Sequence, residues 1–347
     1  MSKVLNALRS AFVDGVWKTF CVKWIWQGFC VNLVYKKFDK WKGWLYLAPA
    51  IVLLLVFTLW PIVNTLRMAF LNGYSSLGEL GGETFEFGIQ NFQKVITYAK
   101  FTSALKNTLL LCVITVPIST ILALLIAVCL NAIKPLQKLL QTIFFLPYVT
   151  NSIAIGMVFA AMFNIVGNNI GAEAELIKTA GIINNILGVF GVKPVNWINA
   201  GSSYTANMTV MVIYIVWNAL PFKILILLGG LQSVNKQYYE AAKIDGTPRW
   251  RVFTKITVPL LSPMIAYVVI TGFIGGFKEY SSIVGIFGDT MGPVGDPRRL
   301  NTMVGYIYDA LSQDYQGRAS AAALMLFAII FVVTMINLYV SKKKTHY

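Results

Sequence analysis

Long apolar runs separated by polar stretches set the pattern of this chain. Residues 44–68, 109–130, 143–163, 208–231 and 321–340 are each close to or beyond the roughly 20 apolar residues that cross a bilayer as a helix. A sixth run, 258–287, is more broken: it contains Pro259, Pro263 and several glycines and carries Lys278 and Glu279 inside it. The pattern predicts an all-α membrane protein with six spans. Residues 232–257 form a polar island between the fourth and the last-but-one run. Tyr239 to Ile244 is helix-forming there, and Gly246 can take the left-handed conformation that stops a helix. Thr247-Pro248 reads as an N-cap followed by proline at the first helical position. The island is therefore two short helices joined by a tight bend, a knob presented to a soluble partner.

Composition agrees with a membrane solvent. Hydrophobic residues make up 57% of the chain and charged residues 12%, against about 25% charged in an ordinary soluble domain. The 29 Lys and Arg residues give a net charge of +15, and their placement orients the spans because basic loops stay in the cytoplasm. With both termini inside, the basic N-terminal segment, Lys134, Lys138, Lys236, Lys243, Arg249, Arg251, Lys255 and Lys342 to Lys344 are all cytoplasmic. Only Asp14, Asp39, Glu240 and Asp245 oppose them on that side. The high charge is thus mostly topology, and nucleic acid is not an expected partner.

Residues 1–43 lack a signal-peptide pattern, because Lys18 and Lys23 interrupt the apolar stretch and no small-residue cleavage site follows. Phe12, Val16, Phe20, Trp24 and Val31 share roughly one helical face. An amphipathic helix on the inner leaflet is expected, with a seventh span over residues 16–35 as the rival. Residues 44–344 then form one six-helix membrane domain. The loops 71–106, 166–207 and 288–320 fall on the outer side and are long enough to fold as small caps. Cys21, Cys30, Cys112 and Cys129 show no metal-ligand spacing, and His346 is the single histidine. Neither a metal site nor histidine-based catalysis is expected.

The island carries the most specific signal. Glu240-Ala241-Ala242-Lys243-Ile244-Asp245-Gly246, continued by Phe253, Ile256 and Pro259, resembles the EAA loop of the permease subunits of binding-protein-dependent ABC importers. Further segments resemble the carbohydrate branch, of maltose and multiple-sugar type. They are Gly88-Ile89-Gln90-Asn91-Phe92, Asn107-Thr108, Phe145-Leu146-Pro147, Gly181-Ile182-Ile183-Asn184 with Trp197, Trp217 with Pro221, Gly292-Pro293 and Tyr306-Ile307-Tyr308. The likeness runs from about Trp44 to Lys344; the N-terminal extension lies outside it.

The resemblance implies a type I permease fold of six transmembrane helices with a cytoplasmic coupling helix. It implies that Glu240, Ala241, Ala242, Asp245 and Gly246 contact a cytoplasmic ATPase. The expected assembly has a second permease, two ATP-binding subunits and an extracellular or periplasmic solute-binding protein. This chain has no G-x-x-x-x-G-K-[ST] loop to cradle phosphates, so ATP and magnesium belong to the partner and no cofactor or catalytic residue is expected here. By the same resemblance the substrate path runs past Asn218, Ala219 and Phe222 in the fourth span, then Gly272, Gly275, Gly276, Glu279 and Tyr280 in the fifth. Asn218 and Glu279 would meet sugar hydroxyls, and Phe222 and Tyr280 the C–H face. Plainer roles stand beside these: Lys223 snorkelling inward, Glu279 capping the outer end of its helix, and Asn151 and Ser152 satisfying a kink rather than lining, with Tyr148, an outer gate. The expected function is the transmembrane subunit of an ATP-driven sugar importer, with an oligosaccharide as the first choice of cargo, in a bacterial plasma membrane. A permease for another small solute such as glycerol phosphate is the alternative, and an ion-coupled transporter a weaker one, because Glu279 is the sole acidic residue within a span.

Overall fold

In the computed structural model the described residues are 43, 44, 46–133, 137–164 and 181–344. The interfacial helix expected over residues 1–43, its rival span and His346 fall outside them, Gly43 excepted. The chain divides into two compact units, Met1–Thr65 and Leu66–Tyr347.

The first unit holds most of helix α1 (Tyr46–Ala69), whose apolar side chains are exposed along its length. Leu55–Leu59 is a π turn just ahead of Pro61. A proline ring collides with the carbonyl four residues earlier and offers no N–H to it, and widening the turn relieves both problems. The second unit uses the same device at Phe253–Thr257, ahead of Pro259.

The second unit runs α2 (Ser76–Leu80), α3 (Gln90–Thr97), α4 (Ala99–Ala132), α5 (Gln137–Val149), α6 (Ser152–Phe163), α7 (Ile182–Val189) and α8 (Tyr204–Ser233). It continues with α9 (Gln237–Ile244), α10 (Arg249–Leu260, including the π turn), α11 (Ser262–Phe277), α12 (Ser281–Phe287), α13 (Met303–Ser312) and α14 (Gln316–Lys344). Among the described residues the only strand-like pairing is an isolated antiparallel bridge between Leu71 and Phe87. Helices α1, α4, α8 and α14 are long and apolar enough to cross a membrane singly. Two bent pairs supply further crossings if each is one span: Gln141–Val149 with α6, turned by 103°, and α10 with α11, turned by 68°.

The apolar run 143–163 is therefore not one straight helix. Asn151 ends the first half and caps the second, its Oδ1 accepting from the Ile153 and Ala154 amides at 2.8 and 3.4 Å. That supplies the acceptor which the broken backbone would otherwise lack. The run 258–287 is likewise divided, α11 ending before Lys278 and Glu279 and α12 starting after Tyr280.

Helices α4 and α8 form the central pair, with α11 laid against α4 and α14. Their contact is close because small residues face inward: Ala123 and Ala127 of α4 meet Ile224, Leu227 and Leu228 of α8 in one buried cluster. Gly156 of α6 and Gly285 of α12 let two backbones touch, since a methyl at Gly156 would lie 2.7 Å from the Gly285 Cα. Three buried asparagines fasten the connections. Asn91 holds the Ala69 and Leu71 carbonyls, Asn107 holds those of Arg299 and Asn301, and Asn184 clips Val195 and the Trp197 indole N–H. Thr108, next to Asn107, accepts from the Met303 amide at 3.0 Å. These residues belong to the short segments singled out in the sequence, and their common task is to pin loops onto helices.

Candidate functional site

Two places collect the residues expected to matter. The first is a cavity of about 280 Å³ between α4, α5, α8 and α11. Asn218, Ala219, Phe222, Gly272, Gly275, Gly276 and Glu279 all line it. Tyr280 does not; its ring packs on Tyr308 at 4.8 Å, because the backbone turns away from the cavity to start α12. Tyr148 takes the aromatic place instead, stacked nearly parallel on Phe222 at 5.8 Å.

The three glycines of α11 do different work. A methyl on Gly272 would meet Val116 at 3.1 Å and the Lys223 ammonium at 3.2 Å, and one on Gly276 would meet the Cys112 sulfur at 2.9 Å. Four residues apart, they share the face pressed on α4. A methyl on Gly275 would meet nothing within 4 Å, so this position opens to the cavity.

Lys223 does not snorkel. It is 4% exposed, and its ammonium donates to Ser119 Oγ at 2.7 Å, Thr120 Oγ1 at 3.0 Å and the Val116 carbonyl at 3.3 Å. All three partners are on α4, about a hundred positions earlier, and they stop the side chain from reaching out along its own helix. Ser119 and Thr115 line the same cavity, as does Thr271 of α11. Sequence reasoning passed over the α4 residues, although Thr115 and Ser119 stand one helical turn apart and so share a face. Glu279 Oε1 accepts from the Ser282 amide at 3.2 Å, so it caps the following helix α12 rather than the end of its own. Ser152, at the bend, meets the Tyr214 hydroxyl at 3.1 Å and the Asn218 amide at 3.5 Å. The bend thus caps itself through Asn151 and turns a hydroxyl toward α8.

The second place is the loop α9–α10. Gly246 stands at φ +64°, and two hydrogen bonds close the end of α9: Thr247 N–H to the Ala242 carbonyl at 2.9 Å, and Gly246 N–H to the Lys243 carbonyl at 3.2 Å. This is the left-handed glycine termination expected from the sequence. Thr247 gives its N–H to this termination, and the next helix starts one residue later than expected. Pro248, not Thr247, is the N-cap of α10, and Arg249 is its first helical residue. Glu240, Ala241, Asp245 and Gly246 are exposed. Ala242 is set apart from them, 5% exposed and turned inward. Beside the exposed set stand Ile244 at 85% and Trp250 at 73% exposure, a large apolar offering for a loop in water. Among the described residues no group of three or more His, Cys, Asp and Glu is placed to hold a metal ion.

Residues 102–346 match the family described as the binding-protein-dependent transport system inner membrane component. The chain belongs to this family. Among its relatives is the lactose transport system permease protein of Rhizobium radiobacter, 30% identical over 305 residues that cover 87% of this chain and 93% of that one. The arabinooligosaccharides transport system permease protein of Bacillus subtilis is 31% identical over 312 residues, covering 89% and 90%. The crystal structure of a bacterial ABC transporter involved in the import of the acidic polysaccharide alginate contains a chain of the same fold. The TM-score is 0.71 at 21% identity, over 91% of this chain and all of that one. As a member of the binding-protein-dependent family, the protein is a multi-pass membrane component of a transport system and not an enzyme, and its type I permease fold is the one that the EAA pattern implied.

Proposed function

We propose that this chain is one of two transmembrane subunits of an ATP-driven sugar importer, most suited to an oligosaccharide. The observation that carries the reading is the cavity itself: an amide, a carboxylate and hydroxyls of three helices stand around two stacked aromatic rings, with the open flank at Gly275. Hydroxyl-rich molecules with C–H faces need that mixture. The names of the relatives, lactose and arabinooligosaccharides, fall in the same class.

In this reading Asn218 and Glu279 bind hydroxyls, Tyr148 and Phe222 stack on the ring, and Ala219 and Gly275 leave room. Glu240, Ala241, Asp245 and Gly246 seat in a groove of a cytoplasmic ATPase, with Ala242 shaping the helix from behind. Closure of two ATPases would drive paired loops together and turn the cavity outward, a rigid-body form of alternating access. A second permease, two ATP-binding subunits and a solute-binding protein complete the assembly. Basic loops support both termini and α9–α10 on the cytoplasmic side, residues 1–43 on the inner leaflet and residues 44–344 as the permease domain.

The test is uptake by the reconstituted complex across a panel of labelled sugars, with wild type compared with Glu279→Gln. Glutamine keeps the acceptor for Ser282 while removing the charge, so stability should hold while sugar preference shifts. Uptake and selectivity identical to wild type would remove Glu279 from the substrate path. ATP-independent uptake by the chain alone would end the importer reading.

A further inference from the structure

A second cavity, of about 590 Å³, lies away from the one described, between the start of α11 and the end of α14. Its walls are apolar, built by Pro259, Ile265, Val269, Ile270 and Val340, and Lys343 stands at its end. Two side-chain atoms within this lining, Ser262 Oγ and Asn337 Nδ2, are buried with no hydrogen-bond partner. Such atoms are costly when left unpaired, by roughly 1–3 kcal/mol each. Asn337 Nδ2 can only donate and Ser262 Oγ can donate, so an acceptor would satisfy both.

We propose that this groove holds an anionic glycerophospholipid from the leaflet on the α9–α10 side. The order of chemistry from the end of α14 inward, and then along α11, matches such a lipid from head to tail. Lys342-Lys343-Lys344 ends the helix at the level of a phosphate. Asn337 lies six residues deeper, about 9 Å at the helical rise, where ester carbonyls offer acceptors and no donors. Ile265, Val269 and Ile270 of α11 follow beyond Ser262, at the depth of an acyl chain. No Asp or Glu lines the groove to oppose a phosphate. A packed protein helix fits less well, because its backbone carbonyls are already engaged along their length.

The test uses the full chain with its co-purifying subunits in phosphatidylcholine vesicles. These carry a trace of either phosphatidylglycerol or phosphatidylcholine bearing a photoactivatable diazirine in the acyl chain, and adducts are mapped by peptide mass spectrometry. Labelling at Ile265, Val269 and Ile270 should favour phosphatidylglycerol, and Lys343→Gln should cut that preference about fivefold. The double variant Ser262→Ala/Asn337→Leu removes the two unpartnered atoms and should fold at least as well as wild type. It should nevertheless lose the rise in melting temperature that added phosphatidylglycerol gives the wild type. Equal labelling by the two lipids, an unchanged preference in Lys343→Gln, or an equal rise in the double variant would each overturn the assignment. So would protection of these residues from both lipids by a cross-linked neighbouring chain, which would make the groove a seat for a helix.

Discussion

Replacing Gly246 isolates the conformational demand at the loop α9–α10. The residue sits at φ +64°, and a Cβ built there meets nothing within 4 Å, so any penalty is torsional and not steric. Holding an ordinary residue in the left-handed region costs roughly 1–2 kcal/mol, and a strained β-branched one up to about 3 kcal/mol. Asparagine visits the region readily and costs least. At 1.4 kcal/mol per tenfold, Gly246→Val lowers the equilibrium constant for forming the native bend on the order of 30- to 150-fold. The two hydrogen bonds from Gly246 and Thr247 that end α9 are lost with it. In proteoliposomes holding the complete transport system, Gly246→Val should lower uptake and substrate-stimulated ATP hydrolysis at least tenfold while the chain remains in the membrane. Gly246→Ala should fall between, and Gly246→Asn should stay near wild type. Full coupling in the valine variant would refute the reasoning, and so would asparagine as damaging as valine, which would make size the cause.

Other perturbations probe the packing and the outer loops. Gly156→Ala places a methyl 2.7 Å from the Gly285 Cα; overpacking of about 1–3 kcal/mol should lower the melting temperature in detergent, and an unchanged value would show that α6 and α12 part freely. Lys223→Met should keep or raise stability, because it removes a desolvated cation while Ser119 and Thr120 still donate to the Thr115 and Val116 carbonyls. A marked fall in melting temperature would show that the cation holds α4 to α8. Glu79 is held below the ordinary glutamate range by the Tyr74 hydroxyl, with Arg67 3.3 Å away, and the same hydrogen bond pushes Tyr74 up. Because the folded value lies below the unfolded one, the stabilisation is present above the ordinary range and fades as pH falls through the depressed value. Proteolysis around residues 75–89 should therefore accelerate on acidification in wild type and change less in Glu79→Gln; equal acceleration would refute the link.

The positions of the apolar helices were legible because a bilayer demands apolar side chains on every lipid-facing turn, and that demand leaves long runs. A kink at Asn151 and Ser152 was one of two readings of the sequence, but its size was hidden for the same reason. Both halves are apolar, and a single asparagine supplies the cap that makes a 103° bend tolerable. The termination at Gly246 could be read locally since glycine alone decides it, but the cap at Pro248 could not, because threonine is the better N-cap by type and Pro248 holds the position by its extended backbone with no side-chain hydrogen bond. Most of the cavity lining came from a likeness of motifs. What that left out came from distant chain: the hydroxyls of α4 that hold Lys223 are about a hundred positions away, and no local pattern announces the pairing. Tyr280 was misplaced by adjacency, since one residue after Glu279 the backbone has already turned into α12.

The glycines of α11 carry a consequence for how such a chain diverges. Gly272 and Gly276 are hemmed in by neighbouring helices, where an added methyl presses on Val116, Lys223 or Cys112, while Gly275 has free volume before it. A side chain at either of the first two should cost helix packing, whatever the cargo. Mutation at the third changes the shape of the lumen at almost no cost to the scaffold. Within five consecutive residues, then, two positions answer to helix packing and a third to the shape of the lumen, so that a change of cargo at Gly275 need not pass through an unstable intermediate.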